Sequence, residues 1–303
     1  MIFQATDIYK KFTRSSFVLN VPQMELAEGT ITGVVGENGN GKTTLLNIVA
    51  GELEAEGSLS YFDHPINQET DWGQLKLQIA FIPQRIPRWY GSLIQNLALK
   101  AALDGIPADE IDTYLDEILD FLGLLDYKHL KWTEISTGYR LRFELARMLI
   151  GKPRLLVLDE PLANLDINTQ QKFLSDLKNI LKDKSYPTAV ILSSQQLHEI
   201  ETVSDQMIFL RKGQSVFSGA MNDIGADQDS WAFELQVIQE DKENLMNYLK
   251  EKSYETTTTG EYVQVTMEKR ATENDFLREL INQNLTITYY RNITRSTKRL
   301  FNQ

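Results

Sequence analysis

Gly36, Glu37, Asn38, Gly39, Asn40, Gly41, Lys42, Thr43 and Thr44 run consecutively and fit the pattern G-x-x-x-x-G-K-[ST]. A triphosphate concentrates several negative charges in a small volume. Backbone N–H groups must converge on its oxygens, which requires a chain free of bulky Cβ atoms, and Gly36, Gly39 and Gly41 supply that freedom. A helix starting near Gly41 adds the positive end of its dipole. Lys42 can then reach the outer phosphates, and the Thr43 hydroxyl can take a coordination place on Mg²⁺. Phosphate chemistry also needs a carboxylate on the far side of the metal. Asp159 follows the apolar run 155–158 and suits that role, and Glu160 directly after it can polarise a water for attack on the terminal phosphate.

These residues need elements that hold them at one edge of a sheet. Residues 31–35 are a β-branched run that reads as a buried strand, and Leu45, Leu46, Ile48 and Val49 mark the helix after the loop, with Gly51 at its C-terminal cap. Residues 155–158 are continuously apolar, as in a parallel strand covered on both faces. Further strands are expected at 2–12, 17–26, 57–62, 77–82, 188–192 and 207–210. Helices are expected after Pro107, over 141–150 and over 169–182. The alternation argues for a doubly wound α/β core. Near residues 225–229 the texture changes. A strand at 231–237, a helix at 241–252, a hairpin turning at Gly260, a helix around Phe276–Ile281 and a last strand from Leu285 give the order β-α-β-β-α-β.

Composition narrows the function classes. The chain has 303 residues, 42% of them hydrophobic, enough for one large domain or two. It has no Cys and three His, which excludes a disulfide framework and disfavours a structural zinc site. A net charge of −11 argues against nucleic acid as the main partner, despite a basic run at 291–299. Residues 1–17 lack the apolar segment of a signal peptide, and no run approaches membrane-spanning length, so any membrane role is expected to come through a partner.

With the loop and Asp159-Glu160 in hand, six further segments in order make the chain resemble an ATP-binding cassette (ABC) ATPase over about residues 1–224. The resemblance implies ATP and Mg²⁺ as ligands. It implies a P-loop cassette with a RecA-like parallel sheet core, an antiparallel β subdomain and a helical signature subdomain at about 85–150; the small α+β domain expected at 225–303 rests on the strand and helix pattern given above. Phe12 matches the aromatic residue that stacks on adenine. Gln84 matches the Q-loop glutamine, a Mg²⁺ ligand beside Thr43 and Asp159 that also senses the partner subunit. Ile135, Ser136, Thr137, Gly138 and Tyr139 match the L-S-G-G-Q signature, lent in trans to the other cassette of a head-to-tail dimer. Asp166 belongs to the D-loop, and residues 193–199 match the switch segment. The implied setting is cytoplasmic, on the inner face of the membrane, driving a separately encoded membrane subunit as bacterial exporter ATPases do.

The departures from the family pattern are chemical. Tyr139 stands where glutamine is usual. Gln195 replaces the switch histidine; an amide donates a hydrogen bond to a phosphate but carries no charge and shuttles no proton. His198 lies three residues on, where a shifted alignment would use it and a helix surface would not. Slow hydrolysis is therefore expected, and a low-turnover ATP-sensing cassette or a non-transport ABC protein stands as the alternative. Arg85, Arg88, Trp89 and Tyr90 follow the Q-loop; the two aromatics suit either a partner interface or packing within the helical subdomain.

Overall fold

The computed structural model describes residues 1–13, 15–223, 230–268 and 273–294. The expected change of texture at 225–229 and most of the basic run at 291–299 lie outside the described residues. The chain divides into two compact units, Met1–Gly219 and Ala220–Gln303.

In the first unit the elements follow in this order: β1 (Phe3–Lys11), β2 (Val18–Leu26), β3 (Ile31–Val35), α1 (Lys42–Val49), β4 (Glu56–Tyr61), β5 (His64–Pro65), α2 (Trp72–Lys76), β6 (Ile79–Ile82), α3 (Leu93–Leu103), α4 (Ile111–Phe121), α5 (Thr137–Leu149), β7 (Leu155–Leu158), α6 (Ile167–Lys182), β8 (Ala189–Ser194), α7 (Leu197–Ile200), β9 (Gln206–Arg211) and β10 (Gln214–Ala220). One sheet runs in the order β5-β4-β1-β2-β10-β9-β3-β8-β7-β6. Its β5-β4-β1-β2 half is antiparallel, and β9-β3-β8-β7-β6 is parallel. Strands β3, β7 and β8 are buried at every residue, which is why they show no regular polar–apolar alternation; β7 is apolar throughout, while Thr32 in β3 and Ser193 and Ser194 in β8 are buried polar residues. Removing each of Leu155, Leu156 and Leu158 from water contributes about 1.5–3 kcal/mol.

The register decides where the chemistry goes. Val35 pairs with Ser194, and Leu158 pairs with both Leu192 and Ile82. The carboxyl ends of β3, β8, β7 and β6 therefore lie side by side. The P-loop, the switch residues, Asp159-Glu160 and Gln84 all leave the sheet at that one edge.

Three elements differ from the sequence expectation. Residues 77–82 do not form one strand. Asp71 accepts the Gln74 N–H and caps α2, Leu77 closes that helix, and the strand starts only at Ile79. Helix α3 is absent from the sequence expectation although Ser92 and Gln95 form a reciprocal capping box at its start. Strand β10 is too polar to stand out from a loop.

The second unit contains β11 (Ser230–Val237), α8 (Lys242–Glu251), β12 (Glu255–Thr259), β13 (Tyr262–Glu268), α9 (Glu273–Asn282) and β14 (Ile287–Asn292), with the sheet order β12-β13-β11-β14 and the expected β-α-β-β-α-β sequence. Phe233, Leu235, Val263 and Val265 pack on Leu245, Leu249, Phe276 and Leu280, so both helices cover one face of the sheet.

Candidate functional site

Gly41 caps α1 with φ 102°, a conformation open to glycine, and a Cβ there would meet the Phe17 ring at 2.8 Å. No side chain caps this helix, so its first N–H groups face the loop unclaimed. Lys42, 4% exposed, donates to the carbonyls of Gly36 (2.7 Å) and Glu37 (3.2 Å) and pairs with Glu160 Oε1 at 3.1 Å. The ammonium is thus held inside the loop that the phosphate pattern defines.

The acidic residues are fixed from behind. Asp159 accepts from the Thr43 hydroxyl at 2.9 Å through one oxygen and from the Ser193 hydroxyl at 2.8 Å through the other. Ser193 in turn accepts the Glu160 N–H at 2.8 Å. This N–H and the left-handed backbone of Glu160, φ 46°, turn its carboxylate back over the P-loop. Glu160 Oε2 accepts from two amides, Gln84 at 2.8 Å and Gln195 at 2.6 Å. A cleft of about 450 Å³ opens beside Glu160, lined among others by Gln84, Asn164, Gln170, Gln195 and Glu199.

The hydroxyl of Thr43 against the carboxylate of Asp159 is a pair of hard oxygen donors, and Gln84, whose amide nitrogen is turned to Glu160, carries an amide oxygen of the same kind. This donor set fits Mg²⁺.

Ser136 caps α5 by accepting the Tyr139 N–H at 3.4 Å, and Ser136 and Thr137 are both exposed at that helix end. Gly138 is buried because the Thr169 side chain occupies the space a Cβ would need. Thr169 donates its N–H (3.0 Å) and its hydroxyl (2.6 Å) to Asp166, which holds the Asp166 carboxyl below the usual range and caps α6. Signature and D-loop therefore meet within one chain through Thr169. Tyr139 packs on Tyr127, with ring centroids 4.4 Å apart, and near Arg142. Its hydrogen bond with Tyr127 is the main cause of its raised pKa.

The structure separates the two aromatics after the Q-loop. Trp89 is buried, stacks on Trp132 at 4.9 Å and donates to Glu144 at 3.1 Å, so it belongs to the helical subdomain. Tyr90 is 81% exposed. His198 sits exposed on α7 and does not line the cleft. Phe12 is half-buried near Lys10, while it is the Phe17 ring that abuts Gly41. Ser193 and Glu199 lie in the switch segment without a role of their own in the sequence reading, and Gln170 and Phe17 lie outside every motif. The two hydroxyls ending a buried strand at 193–194 are the available signal for the first.

A parallel sheet with a P-loop and an acidic pair at one edge, an antiparallel half and a helical insertion make this the fold of a P-loop ATPase of the cassette type. The sequence profile of the ABC transporter family matches residues 19–163. The tungstate uptake system ATP-binding protein TupC of Peptoclostridium acidaminophilum is 32% identical over 68% of this chain and 92% of its own length. The uncharacterized ABC transporter ATP-binding protein YxlF of Bacillus subtilis is 30% identical over 81% of this chain and 78% of its own. Among solved structures, CbiO1 of Clostridium perfringens, part of the CbiONQ transporter complex, superposes with a TM-score of 0.68 at 23% identity, covering 75% of this chain and 91% of that one. The chain belongs to the ATP-binding subunits of ABC transporters, and ATP hydrolysis is its activity. Among the described residues no helix is long and apolar enough to cross a membrane.

Proposed function

We propose that two copies of this chain, or this chain and a paired cassette, close head to tail around Mg-ATP and drive a separate membrane subunit from the cytoplasmic face. The observation that carries this reading is the arrangement around Glu160. One carboxylate is held by the P-loop lysine on one side and by the Q-loop and switch amides on the other. Lys42 would move from the loop carbonyls to the outer phosphates, and the P-loop N–H groups of residues 37–44 would take the rest of the triphosphate. Thr43, Asp159 and Gln84 would hold Mg²⁺, which neutralises phosphate charge when bound. Glu160 would orient the attacking water, and Gln195 would donate to the terminal phosphate. Ser136 and Gly138, at the exposed start of α5, would complete the site of the opposite copy, with Asp166 beside them. Phe12 would face the base.

The membrane partner would dock by a cytoplasmic helix on the region that follows Gln84, where Tyr90 is 81% exposed, and on α3, where Leu99 and Leu103 one turn apart are 62% and 75% exposed. The second unit, 220–303, would act as an accessory domain of the kind found on exporter ATPases. The uptake role in TupC's name is the opposite direction, and transport direction is a question for the membrane partner. An affinity-tagged chain solubilised from membranes should bring down a polytopic membrane protein; recovery of the chain alone would remove the transport reading and leave the low-turnover ATP-sensing alternative.

The switch position has its own test. Gln195→His replaces a neutral donor with one that can carry charge, a difference of about 1 kcal/mol or roughly fivefold in kcat. The variant should also acquire a pH dependence between 6 and 8, because no histidine lines the cleft of the wild type. Equal rates and equal pH profiles would mean that Gln195 does not limit turnover.

A further inference from the structure

We infer that Glu199 is a positioning residue that aims Gln195 at Glu160, a role that rests on the reading of Glu160 and Gln195 as the hydrolytic pair. Gln195 is exposed as a residue, and only its amide reaches inward to Glu160. Its direction is set by its neighbours. The Ser194 hydroxyl accepts the Gln196 N–H at 2.9 Å and donates to Glu199 Oε2. Glu199 Oε1 accepts from the Gln170 amide at 3.1 Å. That same amide lies 3.2 Å from the carbonyl of Leu162 and 3.3 Å from the carbonyl of Leu165, in the turn directly after Glu160.

The result is a brace, Ser194 to Glu199 to Gln170, that runs around Glu160 and ties the segment before Gln196 to the segment after Glu160. Both oxygens of Glu199 are committed to it, one through Gln170 and the other through Ser194. A carboxylate is the side chain that can accept at both ends at once. Three acceptors share one Gln170 amide that has two hydrogens, so the brace has a loosest link at the turn carbonyls. A shift of the turn 162–165 changes how that one amide is shared, and through it the hold of Glu199 on Ser194 and the aim of Gln195.

The test is a double-mutant cycle on the full chain, with kcat and KM for ATP measured separately. Glu199→Ala should lower kcat by about ten- to a hundredfold, the size of effect that a misplaced supporting group produces, with KM unchanged within twofold or so. Glu199→Gln should recover most of the missing rate. Its oxygen can keep the Gln170 contact, and its NH₂ can donate to Ser194, whose hydroxyl then turns to the Gln196 carbonyl 3.0 Å away. In a Gln195→Ala background, Glu199→Ala should have no further effect. A wild-type kcat in Glu199→Ala overturns the inference. So does a loss of equal size in the Gln195→Ala background, or a KM that rises in step with the fall in kcat. If Gln195→Ala alone leaves kcat intact, it is the underlying assignment of Gln195 that fails, and the two failures are told apart by that one variant.

Discussion

Glu160→Gln stops ATP turnover by about three orders of magnitude, the middle of the range for losing a positioned general base, while ATP binding tightens. The first half follows from replacing a carboxylate, which can accept a proton from water, with an amide that cannot. The second half follows from the resting contacts. Glu160 is one of three groups that hold Lys42, the others being the Gly36 and Glu37 carbonyls. With an amide at position 160 the ion pair to Lys42 is lost, and Gln84 and Gln195 must turn their own amides over to present oxygens to the new NH₂. Losing that negative partner destabilises the state in which Lys42 stays inside its own loop. A phosphate that draws Lys42 away supplies the missing negative charge, so the variant's apparent affinity rises. Single-turnover hydrolysis and a calorimetric titration with Mg-ATP read the two halves separately. Wild-type turnover in the variant would remove Glu160 from the chemistry.

Lys42→Ala should abolish useful nucleotide binding and also weaken the resting protein. Each charge-assisted hydrogen bond to a phosphate contributes about 1.5–3 kcal/mol, so affinity falls by roughly ten- to a hundredfold for every such bond removed. The resting cost arises because Lys42 and Glu160 are buried together, with side chains 4% and 6% exposed. Removing the lysine leaves Glu160 to the two amides alone, at a cost of about 3 kcal/mol, the low end for breaking a buried pair because those two donors remain. The combination Lys42→Ala with Glu160→Gln should recover much of that stability, since no unpaired carboxylate is left, but none of the binding. Denaturant unfolding without nucleotide and titration with ATP check the pair of expectations. A Lys42→Ala protein that binds ATP normally would contradict the placement of the phosphates in this loop.

The chemistry is far more legible in the sequence than the scaffolding around it, for a physical reason. A phosphate loop must have its glycines, lysine and threonine at fixed separations, because one turn of backbone wraps one ligand. Strands β3, β7 and β8 are buried at every residue, so apolar and β-branched residues dominate them and leave little room for another reading. Helix α2 has five residues, too few for a 3.6-residue period to emerge, so Trp72 carries no helical signal of its own. Trp89 and Tyr90 are neighbours of similar character, yet one lies buried against Trp132 and Glu144 and the other is solvent-facing. Their fates are set by residues more than forty positions away. Glu199 and Gln170 matter through bonds that cross between segments 29 residues apart. Spacing along the chain carries no trace of such bonds. The same holds for Thr169 filling the notch at Gly138, a contact between two helices that only the packing of α5 on α6 creates.

The central claim is that ATP is clamped between a P-loop of one cassette and the Ser136–Tyr139 signature of another. Light scattering of the Glu160→Gln protein tests it most directly, because this variant should accumulate the loaded state. With Mg-ATP present the particle mass should rise to about twice the 34.8 kDa of the chain, return to the single-chain value when ATP is withdrawn, and fail to rise when Ser136 is replaced by Arg. A mass that stays at 34.8 kDa under saturating Mg-ATP, with the nucleotide demonstrably bound, would contradict the account.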